Sequence, residues 1–292
     1  MTRVVVAGAG KMGAHHARVF SRARGATLAG VLDVDVGAAE KVARDHGAPA
    51  LRTLDDVIER ADLVVIATPT SLHFTQARRA LVAGRAVLVE KPIAASAADA
   101  RALCDVARES RSPLFVGHSE RFNAVVRALF EHTARESVTH IETRRMAFAP
   151  AEELCVNLAV HDIDLVALLS RAPASLVTAT GGADAAELAL RAGDASARAW
   201  VERRSATRAR TIVVRTTDAT FRGDMLAGSL ERDGASLDVL GGEPLALQAE
   251  SVLAALRGEP TLVATADAGA DAVAVAERAA SSLSDQRVTA AE

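Results

Sequence analysis

Val4-Val5-Val6-Ala7-Gly8-Ala9-Gly10-Lys11-Met12-Gly13 decides the fold. Three β-branched residues run into GxGxxG, and a helix-competent segment follows. The pattern is that of a strand turning directly into a helix around a dinucleotide. Gly8 permits the tight turn, Gly10 lets the backbone approach a pyrophosphate, and Gly13 lets the helix pack closely on the strand. The helix N-terminus, including Lys11 and Met12, presents its N–H groups to the anion. Asp33 stands 20 residues beyond Gly13, at the end of the apolar run Ala26-Thr27-Leu28-Ala29-Gly30-Val31-Leu32. A carboxylate there takes the adenosine ribose hydroxyls and repels a ribose phosphate, so the expected cofactor is NAD rather than NADP.

Outward from this motif, apolar runs of strand length at 3–7, 27–32, 62–67, 86–89 and 114–117 alternate with helical segments, and a short strand is possible near 48–51. Runs such as Leu63-Val64-Val65-Ile66-Ala67 are apolar without alternation, as strands covered on both faces are. The reading is a doubly wound parallel sheet. After a helical stretch at 122–135 the rhythm changes. A strand-like run at 138–148 leads to a helix at 158–170. Short β-rich runs follow at 175–180, 197–204, 211–216 and 229–232, then helices at 243–257 and 267–283. This second part is expected to be an α+β domain with a largely antiparallel open sheet. The boundary is placed at Gly117-His118, giving domains 1–118 and 119–292 with a substrate cleft between them.

Composition narrows the function classes. Of 292 residues half are hydrophobic, yet only one is Trp and none is Tyr, so the core is built from Ala, Val and Leu, and binding by stacked aromatics is disfavoured. A net charge of −3 gives no reason to expect nucleic acid or an anionic membrane as partner. Cys104 and Cys155 are too few for a disulfide framework and lack neighbours for a metal site, so no metal is expected and a reducing, cytoplasmic compartment fits. The N-terminus lacks a secretion signal's pattern, and no long uncharged apolar stretch would span a bilayer.

Further polar motifs fall at strand ends: Thr68-Pro69-Thr70-Ser71-Leu72-His73, Glu90-Lys91-Pro92 and Gly117-His118-Ser119-Glu120-Arg121-Phe122-Asn123. With GAGKMG and Leu158-Ala159-Val160-His161-Asp162-Ile163-Asp164, they closely resemble the Gfo/Idh/MocA family of oxidoreductases, over nearly the whole chain. The resemblance implies a Rossmann domain, a substrate domain and a dehydrogenase. It places Lys91 at the catalytic centre, where an ammonium group can stabilise a developing alkoxide. His161 is the expected general base, since its ordinary pKa of about 6.5 suits proton exchange near neutrality. Asp162 and Asp164 point to different helix faces and are expected to be a helix N-terminal charge and a salt-bridge partner. Many members carry Asp four residues before this His, but this chain has Asn157, an amide that hydrogen-bonds a hydroxyl without accepting a proton as a base.

By the same resemblance, Thr68, Pro69 and His73 lie beneath the nicotinamide. Glu90 either orients Lys91 or contacts the nicotinamide ribose. Arg121, Asn123 and Arg144 or Arg145 are expected at the substrate, the arginines meeting a diphosphate if the substrate is a UDP-sugar. His15 and His16 are expected in packing or at the surface. The segment 118–123 resembles members that oxidise nucleotide-linked amino sugars at C3. The expected substrate is therefore a sugar or nucleotide sugar of the UDP-N-acetylglucosamine type, oxidised to a ketone or formed by the reverse reaction. An inositol or free-sugar dehydrogenase, and a non-catalytic NAD-binding sensor or partner subunit, are the alternatives. A homodimer or homotetramer is expected.

Overall fold

The structure is a computed structural model that describes residues 1–149 and 153–291, with side chains as far as 286. The chain divides into two compact units, Met1–Ser119 with Glu243–Ala270, and Glu120–Gly242 with the segment from Asp271 onward.

The first unit alternates strands and helices: β1 (Thr2–Ala7), α1 (Lys11–Arg22), β2 (Ala26–Leu32), α2 (Val36–Asp45), β3 (Ala50–Leu51), α3 (Leu54–Arg60), β4 (Leu63–Ile66), α4 (Thr70–Val82), β5 (Ala86–Glu90), α5 (Ala97–Ser110) and β6 (Leu114–Gly117). The strands form a parallel sheet in the order β6-β5-β4-β1-β2-β3. Every residue of β4 and β5 is buried, which explains why these strands read as continuous apolar runs. Two buried polar groups serve the frame: Ser112 donates to the Leu81 carbonyl at 3.0 Å, and burial pushes the Cys104 thiol up to about 11.

In the second unit, α6 (Ala124–His132) precedes β7 (Val138–Phe148), a π-helical segment (Leu154–Ala159) and α7 (Val160–Ser170). The remaining strands are β8 (Ala174–Gly181), β9 (Ala185–Ala192), β10 (Ala195–Glu202), β11 (Arg204–Thr216), β12 (Thr220–Asp224), β13 (Ser229–Arg232) and β14 (Ala235–Leu237). They build a sheet in the order β14-β13-β12-β11-β7-β10-β9-β8, antiparallel throughout except for the parallel pair β7–β10. Ile141, Leu188, Val201, Val214 and Phe221 from the sheet pack with Ile163 and Leu165 of α7 and Val275 and Ala276 farther along the chain.

The chain then returns to the first unit, where the sequence reading had assigned all of 119–292 to a second domain. α8 (Pro244–Leu256) lies against α1, with Glu243 paired to Arg18. β15 (Ala264–Thr265) adds to β6 as an antiparallel edge strand. In α9 (Ala266–Ala291), a Cβ on Gly269 would come within 2.6 Å of the Val116 side chain, so glycine sets the close seating of this turn on β6. A two-residue strand has too few positions to show periodicity, which is why the return was not legible. No helix among the described residues is long and apolar enough to cross a membrane.

Candidate active site

The glycine turn after β1 is fixed by contacts that leave no room for side chains. Gly8 has φ +105°, and a Cβ there would lie 2.5 Å from the Ala67 carbonyl oxygen; a Cβ on Gly13 would lie 1.8 Å from the Gly8 carbonyl oxygen. Gly10 is different, because a Cβ on it would meet nothing within 4 Å. It is the N-cap of α1 and supplies no capping side chain. Two of the three glycines are thus demanded by contacts within the protein, and the third faces open space at the start of α1. Lys11 and Met12 are exposed beside it.

Asp33 stands at the end of β2. Its carboxylate accepts the Ala9 N–H at 2.5 Å and the Asp35 N–H at 2.9 Å. An ionised carboxylate has about four acceptor positions, so these bonds leave capacity for ribose hydroxyls. The donor set suits NAD: an acid at the ribose, N–H groups at a helix N-terminus and a glycine where backbone approach is needed.

At the end of β5, Glu90 is buried and its carboxylate is committed twice. One oxygen lies 2.7 Å from Nε2 of buried His16 on α1, and the other accepts the Lys91 N–H at 3.2 Å. The second of these bonds ties Glu90 to the main chain at Lys91. His16, read as packing or surface, is a partner in this pair. Only a fold that brings α1 beside β5 could reveal it.

His73 is held between two loops. It is 1% exposed, with Nδ1 2.8 Å from the Pro92 carbonyl oxygen and Nε2 2.9 Å from that of Thr68. The ring ties the loop after β4 to the loop after β5. Burial lowers its pKa, against the pull of the two carbonyls. Thr68 is half-buried, with its hydroxyl bonded to Gln76, and Pro69 is exposed at the start of α4.

In the second unit the motif His161-Asp162-Ile163-Asp164 lies in the first turns of α7. Each aspartate has its own arginine: Asp162 accepts from Arg145 Nε at 2.7 Å, and Asp164 receives Arg121 Nε at 2.8 Å and Nη2 at 2.6 Å. Glu120 adds bonds from Arg145 at 3.2 Å and Arg210 at 2.6 Å. Burial works against the Arg145 charge, yet Asp162 and Glu120 hold it above its usual value. Burial likewise pushes Asp162 above the ordinary carboxylate range, against the pull of Arg145. Asn157 lies within the π-helical segment and His161 just beyond it, both half-buried. Single π turns inserted in α-helices are frequent at functional sites, and no residue pattern here announced one.

The three residues expected at the substrate have these surroundings. Arg121 pairs with Asp164. Asn123 caps α6, accepting the Val125 N–H and donating to the Met225 carbonyl, both at 3.0 Å. Arg144 is adjacent in β7 to Arg145, whose side chain meets α7. Alternation therefore places Arg144 on the opposite face, in a concavity of about 720 Å³ with Glu142, Arg198 and Trp200. Among the described residues no cluster of His, Cys, Asp and Glu could hold a metal ion.

Residues 2–118 match the oxidoreductase family with an NAD-binding Rossmann fold known as Gfo/Idh/MocA. The match is confined to this first, NAD-binding domain. UDP-N-acetylglucosamine 3-dehydrogenase of Acidithiobacillus ferrooxidans is 33% identical over 183 residues, which cover 61% of this chain and 58% of that protein. Inositol 2-dehydrogenase of Rhizobium meliloti is 34% identical over 187 residues, covering 59% and 56%. The chain thus spans little more than half the length of these curated relatives. In structure, the A. ferrooxidans enzyme superposes with a TM-score of 0.88 at 26% identity, over 97% of this chain and 98% of that one.

The buried arginine and the surface one differ in what their removal should do. Arg121→Met leaves Asp164 buried without its bidentate partner and should cost about 3–5 kcal/mol in urea unfolding. Arg144→Ala should stay within about 0.5 kcal/mol of wild type. Equal effects would contradict these placements.

Proposed function

We propose that the protein is an NAD-dependent dehydrogenase that oxidises a secondary ring hydroxyl of a nucleotide sugar, of the UDP-N-acetylglucosamine type at C3, to a ketone, or runs the reverse reaction. The observation that carries this reading is the full-length likeness to the A. ferrooxidans UDP-N-acetylglucosamine 3-dehydrogenase, joined to a glycine turn and acid suited to NAD. Gly8, Gly10, Lys11, Met12, Gly13 and Asp33 hold the dinucleotide, with Thr68 and Pro69 at the nicotinamide end. When bound, NAD supplies the hydride acceptor. Lys91 holds negative charge on the substrate oxygen, His161 takes the hydroxyl proton, and Asn157 orients the substrate through its amide. Asp162 and Asp164, fixed by Arg145 and Arg121, hold α7 and thereby His161.

The 34% identity to an inositol dehydrogenase supports a second reading, with a cyclic polyol as substrate. A panel of UDP-N-acetylglucosamine, myo-inositol and free sugars, followed by NADH absorbance, separates the two. Turnover of the UDP-sugar is expected, and Lys91→Met should lower kcat/KM by at least about a hundredfold with NADH affinity nearly unchanged. Unchanged turnover in that variant would remove Lys91 from the chemistry. No turnover with any member of the panel, alongside NADH binding, would make the protein an NAD-binding sensor.

A homodimer or homotetramer is part of the same proposal. The outward face of the second unit's sheet sets Glu142 and Glu187 among Arg144, Arg198 and Arg215, a mixture of signs that suits a second copy of itself. Sedimentation equilibrium should give two or four times the 30.4 kDa chain mass; a single chain mass would refute the assembly. Two reduced, buried cysteines are consistent with a reducing cytoplasmic compartment.

A further inference from the structure

We infer that His16, acting through Glu90, is a positioning residue for Lys91; the inference rests on the reading of Lys91 as the group at the substrate oxygen. A buried His–Glu pair is an expensive thing to place in a core, because each member loses its hydration. This one has no surface outlet: His16 is 1% exposed, stacked on Phe20 with ring centroids 6.2 Å apart, and Glu90 is 7% exposed. A Cβ on Gly117 would lie 2.8 Å from the Glu90 carboxylate oxygen, so glycine at the end of β6 is what admits the carboxylate. With one oxygen at the His16 ring, the other is aimed at the Lys91 N–H.

One residue on, the Pro92 carbonyl is gripped by His73. The main chain at Lys91 is therefore bonded on both sides, by a carboxylate on its amide and an imidazole on the next carbonyl. The two histidines come from different helices, and neither anchor depends on the Lys91 side chain. His16 has a further property: it lies on α1, whose N-terminus is the glycine turn. The pair thus makes the helix that receives the dinucleotide also hold the backbone from which the Lys91 side chain extends. Removing the imidazole lets the Glu90 carboxylate swing away from the Lys91 amide and loosens that backbone, while Gly8, Gly10 and Gly13 keep their own contacts.

The sequence contains three lysines, Lys11, Lys41 and Lys91, which makes a direct test practical. Reductive methylation of the full chain with ¹³C-formaldehyde gives one dimethylamine signal per lysine, and Lys91→Met assigns the third. In His16→Ala the Lys91 signal should move by more than its linewidth while those of Lys11 and Lys41 stay fixed. His16→Gln, which restores a donor, should return it part of the way. With a turned-over sugar, kcat of His16→Ala should fall about tenfold while NADH binding stays within about twofold. If His16→Ala does not fold, the near-isosteric Glu90→Gln is read in the same way. An unmoved Lys91 signal, or equal movement of all three, overturns the inference. The spectra need no substrate, so absence of turnover would count against the dehydrogenase reading and not against the clamp.

Discussion

The Gly8 carbonyl and the Cα of Gly13 approach so closely that a single methyl group between them would sit 1.8 Å from oxygen. From this contact the geometry of the first unit follows. α1 can begin immediately after β1 only because two residues lack side chains, and its start is then aimed at open space beside Gly10. Asp33 secures the turn from the neighbouring strand through the Ala9 amide. The same helix delivers His16 to Glu90. The glycine turn, Asp33 and the Lys91 backbone are thus linked through α1 and its close packing contact.

The second unit solves a different problem. Its helix α7 carries His161 but also two aspartates that are almost wholly buried. Burial without partners would cost several kcal/mol each, and the chain answers with Arg145 and Arg121. Buried ion pairs of this kind contribute little net stability over apolar packing. Their effect is to tie α7 to β7 and to the segment preceding α6 in one arrangement. Arg121 and Arg145, which the sequence offered as substrate ligands, are part of this internal framework.

What was legible in the sequence follows physical lines. The parallel sheet was readable because β4 and β5 are apolar at every position, and the glycines because their spacing matches a backbone requirement. Asp164 as a salt-bridge partner was foreseen. The internal partners of Arg121 and Asn123 were not legible because polar side chains beside a site look alike in sequence, whether they face substrate or cap and pair internally. Strand alternation separates Arg144 from Arg145 only once one of them is known to face α7. Strand β9, AAELALRA, was missed because alanine weakens the alternation that its buried positions in fact follow. The β13–β14 hairpin turns at Asp233-Gly234, both at positive φ, and its second strand, only three residues long, is too short to show alternation. The His16–Glu90 pair, 74 positions apart, had no local signal at all.

Asp33 joins the turn to the proposed cofactor preference, since the carboxylate that accepts the Ala9 amide is also the group proposed to meet the adenosine ribose. The dissociation constants of NADH and NADPH, measured by nucleotide fluorescence on the wild-type chain, test this account most directly. NADH should bind at least about tenfold more tightly, a difference of roughly 1.4 kcal/mol. Equal affinity, or tighter binding of NADPH, would contradict it.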